Sequence, residues 1–454
     1  MTAQEALKNY FGYDSFRPGQ DTVVSALLSG RDALAIMPTG AGKSLCYQIP
    51  ALMLPGLTLV ISPLISLMQD QVKGLSAAGI PAAYINSALT ENQIAKALQL
   101  VAQGSYKIIY VAPERLESPT FQSFAASAEI SMLTVDEAHC ISQWGQDFRP
   151  SYLRILDFID SLPRRPIVSA FTATATREVK DDIAQTLRLR DPEIVITGFD
   201  RPNLYYRVET TRRKDAFVAD YVRSHPGESG IIYCATRKNV DAVQEMLRGE
   251  DIPVARYHAG MTNEERRQSQ NDFIYDTAPV IVATNAFGMG IDKSNVRYVI
   301  HYNMPQSMEN YYQEAGRAGR DGLPSQCILL FSPQDIVINR FLLDHKENDD
   351  LDDEAADLLR ARDNQRLQAM ANYCQTTGCL RNYILRYFGE EPAEPCGSCG
   401  NCDREFEEVD MTAQAKWMIN CVAETRGHYG KGVVLNTLRG ANMALLRELG
   451  AMDY

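Results

Sequence analysis

The chain contains no apolar run that would cross a membrane intact. Its one uncharged stretch of sufficient length, Ser44 to Gln69, is interrupted by Pro50, Pro55, Gly56 and Pro63. These divide it into a helix, a turn and the strand "TLVISP". The stretch "MTAQEALKNYFGYD" has no basic start, apolar middle or small-residue cleavage site of a secretory signal, so a cytoplasmic protein with no membrane partner is expected. Nor is positive charge in excess. Lys and Arg number 45 against 57 Asp and Glu, a formal net charge of -12. That excludes coating of nucleic acid by bulk attraction but leaves room for a local basic track. Eight of the carboxylates crowd between Asp344 and Asp357 beside one lysine, the composition of a solvated linker or helix face. Low-complexity tracts and short repeats are absent, and tryptophan is nearly so, with two residues in 454.

What the chain does contain is alternation. From Ala33 to Phe199, β-rich runs ("ALAIMP", "TLVISP", "KIIYVAP", "MLTVDE", "IVSAFTAT", "IVITGF") alternate with helical patterns such as "TENQIAKALQLVAQG". This predicts an α/β lobe with a parallel sheet covered on both faces. After "DRPNL" the pattern restarts with "GIIYCAT", "VARYHAG", "PVIVAT", "VRYVIHYN" and "CILLF", predicting a second lobe. Beyond Ser332 the β signal fades into helices around a group of cysteines. From about Met411 a short basic and apolar segment follows.

"MPTGAGKS", Met37 to Ser44, lies between a strand and a helix. In that context Gly40 and Gly42, following Thr39, let backbone amides close around phosphates. Lys43 adds a point charge for the β and γ phosphates, and the Ser44 hydroxyl can ligate Mg2+. The usual first glycine is replaced by Met37 and Pro38. Asp136, at the end of "LTVDE", is placed to hold the magnesium through water, and Glu137 to orient and deprotonate an attacking water. With no second phosphate loop in the second lobe, "YYQEAGRAGRDG" supplies the complement. Arg317 and Arg320, three apart at the end of a helical pattern, can reach across a cleft as arginine fingers, although two such arginines alone are commonly surface salt-bridge partners. Nucleotide hydrolysis is the chemistry these residues favour.

"TGAGKS", "DEAH", "TAT" (Thr172 to Thr174) and "QEAGRAGR", in that order, resemble a superfamily 2 helicase. "YFGYDSFRPGQ" before the phosphate loop, "HCISQWGQDFRP" after the acids and four late cysteines make the chain similar to the bacterial RecQ family of DNA helicases. The resemblance implies two tandem RecA-like parallel-sheet lobes, residues 1–199 (binding ATP) and 200–334. A small helical zinc-binding module, 335–406, and a partial winged helix, 407–454, would follow. It implies ATP-driven 3′ to 5′ translocation and duplex unwinding in DNA repair and recombination, with ATP, Mg2+ and Zn2+ as cofactors. Single-stranded and duplex DNA would be the partners of a monomer, with single-stranded DNA-binding protein a further one.

Within that resemblance Gln20 would read the adenine edge, flanked by Tyr13 and Arg17. Ser62, in "SPLISLMQDQ", would contact the tracking strand. "VATNAFGMGID", which holds Gly290 and Asp292, would contact the strand and the nucleotide. Thr172 and Thr174 would link hydrolysis to movement between lobes. His139, beside Glu137, would sense the γ-phosphate while the following loop senses DNA. Trp144 and Phe148 would offer faces for bases and Arg149 a cation for the backbone; the alternative is a tryptophan packed into the lobe interface.

Of the ten cysteines, Cys379, Cys396, Cys399 and Cys402 cluster, which without an export signal favours metal over disulfides. Four thiolates suit tetrahedral zinc, and also an iron–sulfur cluster; the resemblance selects a structural Zn2+. Cys374 is expected to be a spare thiol. In the tail, "ANMALLRELGAMDY" reads like a later winged-helix element joined directly to the earlier part, as if a recognition helix and loop were absent.

Overall fold

The computed structural model describes residues 1–86, 89–145, 147–288, 293–345, 353–404 and 409–441. It divides into two compact units, Met1–Asp403 and Arg404–Tyr454.

The first lobe is a seven-stranded, wholly parallel sheet. Its strands are β1 (Ala33–Ile36), β2 (Leu57–Ile61), β3 (Ala82–Ile85), β4 (Ile108–Val111), β5 (Ile130–Val135), β6 (Ile167–Thr172) and β7 (Glu193–Ile196), in the order β3-β4-β2-β5-β6-β1-β7. The second is a six-stranded parallel sheet of β8 (Leu204–Thr210), β9 (Ser229–Tyr233), β10 (Val254–Tyr257), β11 (Val280–Ala283), β12 (Val296–His301) and β13 (Ser325–Phe331), in the order β10-β11-β9-β12-β13-β8. Uninterrupted apolar runs form the inner strands because both faces are covered. Leu59 and Ile61 of β2 enter one apolar cluster while Val60 enters another, and Ile231 and Ile232 of β9 part in the same way.

Two strands departed from the sequence expectation. β3, "AAYI", is a short edge strand of weak β propensity. β8 alternates buried and partly exposed residues, the pattern of an edge with one face packed. The helix Lys43–Met53 runs through Pro50 rather than ending there.

The helices Pro333–Asp344, Asp353–Gln375 and Leu380–Tyr387 follow β13. They dock onto the second lobe through buried Arg381, which donates to Asp200 Oδ1 (2.7 Å), the Arg201 carbonyl (2.6 Å) and the Leu204 carbonyl (2.6 Å). Phe388 stacks on Phe199 with centroids 4.5 Å apart. In the second unit the described elements are the helices Thr412–Glu424 and Lys431–Leu438, with Cys421 and Val434 buried. Of the final stretch, residues 442–454 lie outside the described residues.

Asp32, just ahead of β1 and 3% exposed, anchors the amino end of the first sheet. It accepts from Arg165 Nη2 (2.7 Å) and Nη1 (3.1 Å) and from the amides of Val168 (2.8 Å) and Arg190 (2.7 Å). Asp32→Ala strands a guanidinium and two amides, and should cost about 3–5 kcal/mol of unfolding free energy in urea titration.

Candidate active site and its neighbouring centres

The first lobe builds its part of the cleft from loops at the carboxyl ends of β1, β5 and β6. Gly40 and Gly42 adopt φ of 83° and 80°, a left-handed backbone that side chains resist. A Cβ on Gly42 would also meet Gln20 Nε2 at 2.6 Å. Lys43 donates to the Met37 carbonyl at 3.0 Å. Burial lowers its ammonium pKa against the pull of Glu137 and Asp136. Asp136 continues β5, its amide donating to the Ile61 carbonyl at 2.8 Å, while the hydroxyl of buried Tyr152 donates to the Asp136 carbonyl at 3.0 Å. Burial, then the charge of Glu137, pushes the Asp136 carboxyl well above the usual range. Glu137 itself holds φ at 49°, a strain of about 1 kcal/mol or more of the kind stored at functional sites.

The second lobe reaches the same cleft by a different route. The helix Met308–Ala315 runs back from β12 toward the sheet's amino edge, where the Gly319 amide donates to the Val296 carbonyl. Arg317 and Arg320 therefore lie in the turns just past this helix and not on its face as expected, because Gly316 ends it. The Arg317 guanidinium donates to the Gly288 carbonyl and fills the space a side chain at 288 would need. Arg320 packs over the phosphate loop, its Cγ 3.5 Å from where a Gly40 Cβ would stand. A cavity of about 550 Å³ is lined by Tyr13, Arg17, Gln20, Thr39, Gly40, Gly42, Lys43, Ser44, Asp136, Glu137, Arg317 and Arg320, among others. Gly290 and Asp292 lie outside the described residues.

Sequence reasoning missed what joins the lobes. Arg201, in "DRPNL", donates from Nη1 to the carbonyls of Thr39 and Gly316 (3.2 Å each) and from Nη2 to those of Ala318 (3.1 Å) and Gly319 (3.0 Å). Its only signal was an arginine at the restart of the pattern. Beside it a polar chain crosses the cleft. His139 Nδ1 is 3.4 Å from Glu137 Oε2 and 2.9 Å from Thr172 Oγ1. The Thr172 hydroxyl donates to the Thr174 carbonyl at 3.1 Å, so the histidine N–H must be the donor toward Thr172. Thr174 Oγ1 accepts from Gln313 Nε2 at 3.1 Å, from the helix that precedes the two arginines.

Several expected contacts take another form. Gln20 is 2% exposed and uses both ends of its amide on protein. Oε1 accepts the Arg17 amide at 2.9 Å, and Nε2 donates to the carbonyls of Ala41 (2.8 Å) and Gly42 (3.1 Å). It ties the phosphate loop down instead of presenting a free edge to adenine. Arg17 donates to the Gly40 carbonyl, and Tyr13 is exposed. Ser62 is fully buried at the end of β2, so its hydroxyl cannot meet a strand in this arrangement. Arg149 is engaged with Asp147 (2.9 Å) and the Pro63 carbonyl (3.3 Å), and Phe148 is half-buried. Trp144 is 46% exposed. It touches the helix Asp353–Gln375 rather than filling the lobe interface, with the Arg362 guanidinium 3.5 Å from its ring centroid.

The four clustered cysteines converge. All Sγ atoms lie within 4.8 Å of one another, with Cys396–Cys402 at 3.9 Å and Cys379–Cys399 at 4.0 Å. The edges of a zinc tetrathiolate tetrahedron are about 3.8 Å long. Amides point at the sulfurs, from Cys396 to Cys379 (3.3 Å) and from Leu380 to Cys399 (3.4 Å). Cys374 is buried in its helix and stands outside the cluster.

Family models tile this architecture: DEAD/DEAH box helicase over residues 17–182, helicase conserved C-terminal domain over 213–322, RecQ zinc-binding over 333–403 and RQC domain over 405–453. The ATP-dependent DNA helicase RecQ of Bacillus subtilis is 46% identical over 452 residues, spanning 99% of this chain and 75% of that protein. This chain belongs to the RecQ family of ATP-dependent DNA helicases. RecQ of Pasteurella multocida is 41% identical over 99% of the chain and 70% of that protein. Among solved structures, Mss116p bound to ssRNA and AMP-PNP aligns with a TM-score of 0.63 at 17% identity, over 76% of this chain and 75% of that one. The helicase MrfA bound to DNA aligns at 0.61 and 20%, over 75% and 52%. At such identities the likeness is one of fold, the paired parallel-sheet lobes.

The chain pairs ATP-binding helicase domains with a zinc-binding module. The sulfur tetrahedron fits Zn2+, and Cys379, Cys396, Cys399 and Cys402 would hold it. Elemental analysis should find about one zinc per chain, and Cys396→Ala should give metal-free, protease-sensitive protein because structural zinc contributes folding energy. Cys374→Ala should retain the metal; its loss there would displace the ligand assignment.

Proposed function

We propose that this RecQ-family helicase couples ATP hydrolysis to 3′ to 5′ translocation on single-stranded DNA. It would act in repair and recombination as a cytoplasmic, nucleoid-associated monomer, with single-stranded DNA-binding protein a candidate partner. The observation that carries the coupling is the polar chain Glu137–His139–Thr172–Thr174–Gln313, which leads from the acid pair of one lobe to the arginine turn of the other.

The roles follow from position. The backbone amides around Gly40 and Gly42 and the Lys43 ammonium receive the phosphates, and Tyr13 and Arg17 border the base. A magnesium ion, held by the Ser44 hydroxyl and through water by Asp136, would neutralise phosphate oxygens when bound. Both residues face the cavity, and a hydroxyl with a carboxylate is a donor set suited to that ion. Glu137 orients a water and takes its proton as the oxygen attacks the γ-phosphorus. The bond to the bridging oxygen breaks, and ADP leaves with those electrons. Arg320, over the phosphate loop, meets the charge that develops, and Arg317 braces the turn against Gly288. His139, bonded to Thr172 and 3.4 Å from the Glu137 carboxylate, would feel the charge of Glu137 and pass its state to Thr172. Trp144, Phe148 and Arg149 receive the strand seven to twelve residues downstream of Glu137.

The test is ATP turnover with and without single-stranded DNA, then strand separation on duplexes with 3′ or 5′ overhangs. Stimulation by RNA alone, or unwinding only from 5′ overhangs, would overturn the proposal. Arg320→Ala should retain nucleotide affinity while turnover falls about 10³- to 10⁵-fold, the worth of an arginine supplied across a cleft. Loss of affinity with normal turnover per bound nucleotide would make Arg320 structural. Trp144→Ala should bind ATP normally and lose most of the stimulation by DNA. A folded variant stimulated as strongly as wild type would remove the coupling role.

A further inference from the structure

Trp144 is held from two sides. In the first lobe, Ser142 Oγ accepts the Trp144 amide at 3.1 Å and donates to Asp182 at 2.6 Å, from the helix Arg177–Thr186. From the helix Asp353–Gln375, Arg366 Nη2 donates to the Trp144 carbonyl at 2.5 Å, and its Nη1 is paired with Asp363 at 2.8 Å. Backbone donor and acceptor are thus both satisfied, and the backbone that carries the ring is held on both sides. Arg362, one turn before Arg366, lies over the ring itself, 3.5 Å from the centroid. That is van der Waals contact between a planar guanidinium and an aromatic face. Arg362 Nε is buried without a hydrogen-bond partner among the described residues, so at that nitrogen the cation has the indole face as its neighbour, with the Asp182 carboxylate adding a longer-range attraction.

An indole has two faces. One lies beneath Arg362, and 46% of the residue is still accessible, which leaves room for a second flat partner on the face turned away from the guanidinium. A cation on one face and a base on the other form a three-layer stack, and guanidinium planes and bases both favour aromatic surfaces.

We propose that Arg362 is a positioning residue for the DNA strand: it caps the inner face of Trp144 so that the outer face is presented to a base. The stacking platform would then be composite, its aromatic plate from the first lobe and its support from the helix that leads into the cysteine cluster. This rests on Trp144 stacking on a base, and the experiment separates the two ideas.

The full chain carrying Trp417→Phe leaves Trp144 as the sole tryptophan. In that background Arg362→Ala should red-shift the emission, and binding of fluorescein-labelled oligothymidylate, read by anisotropy, should weaken about 3- to 10-fold. Arg362→Lys keeps the charge but not the plane, so its affinity should fall between the two. Thermal melts check that each variant is folded. Wild-type affinity for Arg362→Ala, alongside weakened binding by Trp144→Ala, would overturn the platform while leaving base stacking intact. Wild-type affinity for both variants would remove the stacking itself. Tighter binding by Arg362→Ala would show that the guanidinium competes with the base, and wild-type affinity for Arg362→Lys that charge alone suffices; either result overturns the capping role.

Discussion

A single guanidinium fixes how far the phosphate loop stands from the arginine turn. Arg201 donates to carbonyls on both, Thr39 on one side and Gly316, Ala318 and Gly319 on the other. Charge-assisted bonds of this kind are stronger than neutral ones, and a planar donor with four acceptors leaves little freedom of angle. Thr39 Oγ1 adds a bond to the Gly316 carbonyl at 3.2 Å, and Gln313 reaches Thr174 close by. Any opening of the lobes at this place must break these bonds together. That is a physical basis for discrete relative positions of the lobes rather than a continuum.

The electrostatics of the cleft depend on that spacing. Lys43 and Asp136 are shifted in opposite directions by one cause, the removal of both from water. Each buried charge is tolerable because the other is near, with Glu137 and Arg320 adding to the balance. A site that lines one cavity with two carboxylates and the cations Lys43, Arg317 and Arg320, each held by the fold, has most of its field in place before a nucleotide enters, which is what makes such a field effective. The left-handed Glu137 fits the same logic, because the strand's next residue must turn sharply if its carboxylate is to face the cleft rather than the sheet.

Much of this was legible because the chemistry is local in sequence. The phosphate loop, the acid pair and the cysteine run each place their groups within a few residues, so spacing alone constrains geometry. Arg317 and Arg320 were legible as a pair but not as residues beyond a helix, since Gly316 decides where the helix stops. Other features depend on partners far along the chain. Arg201 looks like any linker arginine until Thr39 and Gly319 surround it, and Tyr152 like any apolar helix residue until it meets the Asp136 carbonyl. Gln20 and Ser62 show the converse. The resemblance gave both contacts outward, while burial at 2% and 0% engages them largely with protein. β8, an edge strand, likewise takes a partner far along the chain, the Gly400 amide donating to its Tyr206 carbonyl at 2.8 Å.

The link between the acid pair and Trp144 is short and stiff. Between them lies the 3-10 turn Ala138–Ile141, buried at every residue. The Arg149 amide then donates back to the Cys140 carbonyl at 2.9 Å, closing the loop on itself, and the Gly145 amide donates to the Ser142 carbonyl at 2.8 Å. A Cβ on Gly145 would stand 2.1 Å from the His139 carbonyl, so the backbone beside Trp144 packs directly on the residue that touches Glu137 and Thr172. A displacement of the tryptophan cannot be absorbed by slack in such a segment. It must move His139, or break the contacts that hold the loop to Asp182 and Arg366. Those outer contacts are few, partly exposed and polar, whereas the inner ones are buried. The softer side is therefore the one toward Asp182 and Arg366, and the stiffer side the one toward the nucleotide cleft, so a push on the tryptophan is transmitted inward only once those outer contacts give way.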